Sequence, residues 1–289
     1  MGVEILAEPA IAGLVGLLLG SFLNVVIHRL PQMMERQWAQ EHAAFAAGTD
    51  APPTPGTEAA FNLWTPRSRC PACGHAVQWY ENIPVLSYLF LRGRCSACNV
   101  RISARYPLVE ILTGVLFAFC AHRWGLTATG LAWAGFSAAM VALAFIDWDT
   151  TLLPDDITLP LLWAGLIASA MHWIDVPLLA SVTGAAAGYL SLWLVYWAFK
   201  LATGKEGMGY GDFKLFAALG AWFGWQALVP IILMSSVIGA LVGIGLKIFN
   251  NLREGGYVPF GPFLVGAGLT AMVFGPQAML QTVLNLFGL

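Results

Sequence analysis

Gly207-Met208-Gly209-Tyr210-Gly211-Asp212-Phe213-Lys214-Leu215 sets one carboxylate behind a run of glycines at the mouth of an apolar segment. In a chain this apolar, a carboxylate beside a hydrophobic span marks a functional residue whose partner must be found. That partner is sought at Asp147. Gly209 and Gly211 let the backbone turn sharply and let another main chain approach without meeting a side chain. The competing account of Asp212 is a cap on the helix that starts at Phe213, where Asp is a favoured residue.

Of the 289 residues, 58% are hydrophobic and 10% charged, against roughly 25% charged in a soluble domain. The expected fold is therefore all-α, a polytopic membrane protein. No basic stripe is present, so nucleic acid is not an expected partner. Crossing a hydrocarbon core takes about 20 apolar residues, fewer where the bilayer adapts. Eight segments qualify: 8–28, 106–123, 127–147, 157–173, 177–200, 212–225, 227–249 and 259–286. The first has its apolar run from about Ala10 to Ile27, preceded by Glu4 and Glu8 and no basic residue, so it reads as a retained span rather than a cleaved signal. The sixth is short and contains glycine, which suits a helix that is tilted, half-buried in protein, or joined to the seventh at Gly224.

Basic residues orient the spans, because Lys and Arg in short loops stay cytoplasmic. With residues 29–105 in the cytoplasm, only Arg123 of the 14 basic residues falls on the other side. Both termini are then expected outside. The loops at 147–156 and 203–212 share the cytoplasmic side, which brings Asp147 and Asp212 to one membrane face. The expected organisation is a first transmembrane helix over 1–30, a cytoplasmic domain over 31–105 and a transmembrane core over 106–289. Within the insert, residues 32–40 suit a surface helix, and 41–57, rich in Ala, Pro and Gly, suit a flexible stretch.

Four of the five cysteines form two pairs, Cys70-Pro71-Ala72-Cys73 and Cys95-Ser96-Ala97-Cys98. The spacing is that of a zinc ribbon or knuckle. Four thiolates close a tetrahedral zinc and leave no open position, so the site would be structural. A segment of this size has too little core of its own, and a metal staple answers that need. A redox role for the CxxC pairs is the competing reading. His75 is either a ligand, a group behind the ligands or a solvated side chain, and Cys120 is a small apolar packing residue.

Asp147 ends the apolar run from Met140 to Ile146, where the helix dipole disfavours a carboxylate by about 0.3–1 kcal/mol. A structural role explains it poorly. Asp149 would face elsewhere and be solvated, while Asp155 or Asp156 suits an N-cap of the helix that follows. Two facing carboxylates can share one proton, because like charges at short range resist double ionisation. One then serves as base toward a water and the other polarises a carbonyl, as in aspartic proteases. No HExxH or GxSxG motif offers another chemistry.

Five stretches together resemble the type IV prepilin peptidases: residues 20–31 (GSFLNVVIHRLP), the two CxxC pairs, 105–110 (RYPLVE), 147–155 (DWDTTLLPD) and 209–214 (GYGDFK). The resemblance implies a GxGD aspartic protease of the bacterial inner membrane with Asp147 and Asp212 as catalytic pair and Gly209, Gly211 and Lys214 in the active-site loop. Lys214 would contact substrate or lipid phosphate, or anchor the helix at the interface. The family's substrates are type IV prepilins and type II secretion pseudopilins, drawn from the membrane lipid and cut on the cytoplasmic side. The resemblance also implies N-methylation of the new N-terminus with S-adenosylmethionine. No glycine-rich loop locates a pocket for that donor; Asn24 and Glu110 are its candidate residues, and polar anchors at span ends are the alternative. A peptidase lacking methyl transfer, or a membrane scaffold or transporter subunit, are the rival functions.

Overall fold

A computed structural model describes residues 4–46, 48, 61–249 and 258–286. The described residues form helices and connecting loops, with two isolated β-bridges, Arg69 with Ala76 and Arg94 with Arg101, in place of any strand. The chain is all-α, and it divides into two compact units, Met1–His122 and Arg123–Leu289.

The first unit opens with α1, Glu4–Ala46, and Pro31 lies inside it. The boundary expected at residue 30 thus falls within a continuous helix. Pro31 forfeits one backbone bond, but residues 32–46 are rich in Met, Glu, Gln, Arg and Ala, all strong helix formers that carry the helix on. The stretch expected to be flexible is therefore helical as far as Ala46, and most of its remainder lies outside the described residues, as does Arg253. After a short helix α2, Leu86–Phe90, comes α3, Arg105–Trp124. α1 meets α3 through glycines: a Cβ at Gly16 would sit 2.8 Å from the Phe117 Cβ, and one at Gly20 would sit 2.7 Å from the Glu110 Cα. Small residues at such spacing let helix backbones approach closely. Buried Arg29 then ties the loop to α1, its guanidinium donating to the carbonyls of Asn62 (2.9 Å) and Pro66 (2.6 Å).

The second unit contains α4 (Ala128–Thr150), α5 (Asp155–Ala170), α6 (Leu178–Thr203), α7 (Tyr210–Phe223), α8 (Leu228–Ile248), α9 (Gly261–Phe274) and α10 (Pro276–Leu286). α7 buries every residue from Asp212 to Trp222 except Lys214. Its neighbours come close because they too carry glycine: a Cβ on Gly184 of α6 would strike the Gly220 carbonyl, and one on Gly165 of α5 would lie 2.7 Å from Trp222. Trp222 sits with Trp133, Phe136 and Phe223, its ring centroid 4.9 Å from that of Phe136, and its indole N–H donates to the Leu161 carbonyl at 2.8 Å.

Four helical segments are long and apolar enough to cross a membrane: Ala7–Ala46, Ala128–Thr150, Leu178–Thr203 and Trp225–Ile248. A fifth arises if the pair Gly261–Phe274 and Pro276–Thr282, bent by 110°, counts as one span. The eight expected segments all contain helix, but α5 has 16 residues and α7 has 14. At 1.5 Å per residue these fall short of a ~30 Å core. For α7 the reason is its surroundings: sheathed by helices, it is shaped by protein contacts rather than by bilayer thickness.

Candidate active site, four-cysteine centre and cavity

Asp147 lies one turn before the end of α4, where Thr151 takes the left-handed conformation and its N–H donates to the Asp147 carbonyl at 2.9 Å. Asp212 lies in the first turn of α7. Both side chains are buried, 4% and 5% exposed, and the two carboxylates are close enough for their charges to interact. Gly209, not Asp212, occupies the N-cap position, and Asp212 Oδ1 is buried with no hydrogen-bond partner among the described residues. The capping account of Asp212 therefore fails. An unpaired carboxylate oxygen costs free energy on burial, so a structural role leaves it unexplained.

The glycines serve close approach rather than a sharp turn, since neither Gly209 nor Gly211 has a positive φ. A Cβ on Gly211 would lie 2.7 Å from the Leu153 Cβ, so glycine lets the loop between α4 and α5 rest on the start of α7. A Cβ on Gly209 meets nothing nearer than Asp212 Oδ2 at 3.8 Å, which leaves that face open to a main chain. Lys214 donates to both carboxylate oxygens of Asp155 at 2.7 Å, tying the first turn of α7 to that of α5. Asp155 is the first residue of α5 and Pro154 its N-cap, so neither Asp155 nor Asp156 caps the helix; both are exposed, as is Asp149.

Residues missed in the sequence surround the pair. Gly261 at the start of α9 faces Asp147: a Cβ there would lie 3.0 Å from the Asp147 Cγ. Lys200 donates to the Tyr196 hydroxyl (3.1 Å) and to Glu206 (2.8 Å), and the Tyr196 ring packs on Tyr210 and Phe213 beside Asp212. The i, i+4 spacing of Tyr196 and Lys200 was a readable signal; the partner of Gly261 lies 114 positions away in the sequence numbering and left none.

In the first unit the sulfurs of Cys70, Cys73, Cys95 and Cys98 all lie within 4.8 Å of one another, with Cys70 and Cys98 at 3.8 Å and Cys73 and Cys95 at 4.0 Å. A disulfide would need about 2.05 Å. Four sulfurs about 2.3 Å from a tetrahedral zinc stand about 3.8 Å apart, so the cluster fits that ion. The two loops are built alike. Gly74 N–H donates to the Cys70 carbonyl and Asn99 N–H to that of Cys95, with Gly74 (φ 72°) and Asn99 (φ 59°) both left-handed. His75 is not among the clustered groups; its Nε2 meets Glu81 Oε2 at 3.1 Å. The backbone N–H of Gln78 donates to the same carboxylate and, with Ser96 and His75, holds its pKa below the usual carboxylate range. Cys120 is buried in α3.

Asn24 and Glu110 line one cavity of about 670 Å³ in this unit. Asn24 donates to the Tyr106 carbonyl at 3.1 Å, and buried Glu110 accepts the Val85 N–H at 2.7 Å.

These features define a helical membrane protein with a buried pair of aspartates and a cluster of four cysteines that fits a metal ion. Residues 14–124 match the Bacterial Peptidase A24 N-terminal domain, and residues 134–244 match the Type IV leader peptidase family. A protein of Aeromonas salmonicida (strain A449) named prepilin leader peptidase/N-methyltransferase is 53% identical, the alignment covering 91% of this chain and 89% of that one. Proteins of the same name from Pseudomonas putida (52% identical, 93% of each chain) and Pseudomonas aeruginosa (50%, covering 91% and 89%) are similar. No solved structure matches the chain. The chain belongs to the type IV leader peptidase family.

Proposed function

We propose that this protein removes the leader peptide from type IV prepilins and pseudopilins at the cytoplasmic face of the bacterial inner membrane. It then methylates the new N-terminus using S-adenosylmethionine. The observation that carries the first activity is the pair itself: buried Asp212, with an oxygen left unpartnered, beside buried Asp147. One carboxylate takes a proton from a water as it attacks the scissile carbonyl. The other, protonated, donates to the carbonyl oxygen and stabilises the charge that develops there. The open face at Gly209 admits the substrate backbone, and Lys214 and Asp155 hold the helix ends that carry the pair. The names and coverage of the relatives support the pairing of peptidase with methyltransferase.

Cys70, Cys73, Cys95 and Cys98 would hold zinc. Its four thiolates complete the coordination, so it supplies structure and no reaction step. The substrate's apolar stem is itself a membrane helix and reaches the site through the lipid.

The test is cleavage of a purified prepilin by wild type, Asp147→Asn and Asp212→Asn in detergent or lipid. Each substitution is expected to abolish cutting while helix content and bound zinc stay unchanged. Normal cutting by either variant overturns the pair, and a wild type that never cuts favours the scaffold or transporter account.

A further inference from the structure

We propose that the 670 Å³ cavity of the first unit is where the methyl group is transferred, and that the Glu110 carboxylate takes the proton from the pilin amine. This rests on the N-methyltransferase reading above and gives it a location.

The volume lies within the range of small-molecule sites, about 300–1,000 Å³. The lining suits an adenosyl sulfonium donor. Phe61, Tyr88 and Tyr106 offer ring faces for a purine, and the exposed side chains Arg67, Arg69 and Arg101 complement the donor's carboxylate. Two acids line the cavity. Glu81 is engaged by His75 and the Gln78 N–H, which leaves Glu110 as the carboxylate available for chemistry.

Glu110 is held in place from three sides. Its Oε2 accepts the Val85 N–H at 2.7 Å, the Ser21 hydroxyl interacts with it, and its backbone packs against Gly20, where no side chain intervenes. Val85 delivers that N–H from a φ of 60°. A β-branched residue in this region is strained, and strain of this kind collects where the surroundings over-determine a functional geometry. Helix packing and loop strain therefore both act to fix one carboxylate at the cavity wall.

Cleavage leaves the pilin with an α-ammonium, whose ordinary pKa is about 8. Glu110 accepts one proton and the amine nitrogen gains a lone pair. That pair forms the N–CH3 bond as the C–S bond breaks, its electrons remaining on sulfur. The sulfonium becomes a neutral thioether, and the product is a secondary ammonium carrying the two remaining protons. Glu110 then gives its proton to water.

Glu110→Gln keeps an oxygen for the Val85 N–H and removes the base. With cleaved pilin and labelled S-adenosylmethionine, its methyl transfer at pH 7 is expected to fall about tenfold, because only about a tenth of an amine of pKa about 8 is neutral at that pH without a base. The deficit should close as the pH rises from 7 to 9, most of it by pH 8, because an amine of pKa about 8 loses its proton unaided there. Prepilin cleavage, zinc content and binding of S-adenosylhomocysteine should match wild type, placing the loss in turnover rather than affinity. An azido derivative of the donor should label residues 21–32 or 61–110 on irradiation. Methylation by Glu110→Gln within threefold of wild type, a deficit that does not vary with pH, or label confined to the second unit each overturns the inference and leaves the methyltransferase reading standing. Absence of transfer by wild type overturns that reading itself.

Discussion

Replacing Gly261 with alanine tests the geometry of the aspartate pair without touching either carboxylate. The added methyl would stand 2.5 Å from Asp147 Oδ2, 3.0 Å from its Cγ and 3.2 Å from Leu153 Cδ1. Ordinary contact begins near 3.5 Å, so about 1 Å of displacement is required, and the carboxylate is the part most free to swing. The backbone raises no objection, because Gly261 opens α9 without a positive φ. Overpacking costs about 1–3 kcal/mol, offset by the roughly 1 kcal/mol that alanine gains over glycine in a helix. The fold should survive. A 1 Å misplacement of a catalytic group is worth about 100-fold in rate, so kcat for prepilin cleavage should drop by about that factor with the melting temperature within a few degrees of wild type. Gly266→Ala on the same helix, where an added Cβ meets nothing within 4 Å, is the control and should cut normally. Normal cutting by a folded Gly261→Ala protein would refute the placement of Asp147 at the reacting bond.

Gly184→Ala should fail to fold or melt far below wild type, since its methyl meets the Gly220 carbonyl, whereas Gly135→Ala, with open space around it, should melt like wild type. Serine at Cys70 or Cys98 should cut bound zinc from one ion per chain to substoichiometric levels by atomic absorption, and a chelator should increase proteolysis between residues 61 and 104. Glu81 has a folded pKa below its unfolded value of about 4.3. Its stabilisation is present above that value and is lost as pH falls through the lower, folded one. The stability difference between wild type and Glu81→Gln should thus be full at pH 6, shrink below pH 4 and vanish in stronger acid.

The four-cysteine cluster was legible because its geometry is local. Each loop needs two cysteines three apart and then a residue tolerant of left-handed backbone, and Gly74 and Asn99 supply it. Asp147 and Asp212 were legible for the opposite reason: each stands against its surroundings, a charge closing or opening an apolar run. The Lys214 and Asp155 pair joins residues separated by 59 positions, and nothing local at either announces the other. Lys214 read as an interface anchor because an isolated lysine at a span end usually is one. Hydropathy marked α1 and α3 to α10 but not their roles: α7 reads as a span by composition, while its burial comes from neighbours that only tertiary packing supplies. The boundary expected at residue 30 falls inside α1 for a related reason: the helix formers beyond Pro31 carry the helix past the end of the apolar run.

Cys70 and Cys95 line the cavity wall and, as the proposed zinc ligands, would have a second duty there. If zinc raises the affinity of the cavity for a methyl donor by some factor, the donor raises the affinity for zinc by the same factor. Bound donor would then slow the loss of metal to a chelator, and the concentration that half-protects the zinc would report the donor's own dissociation constant without any turnover.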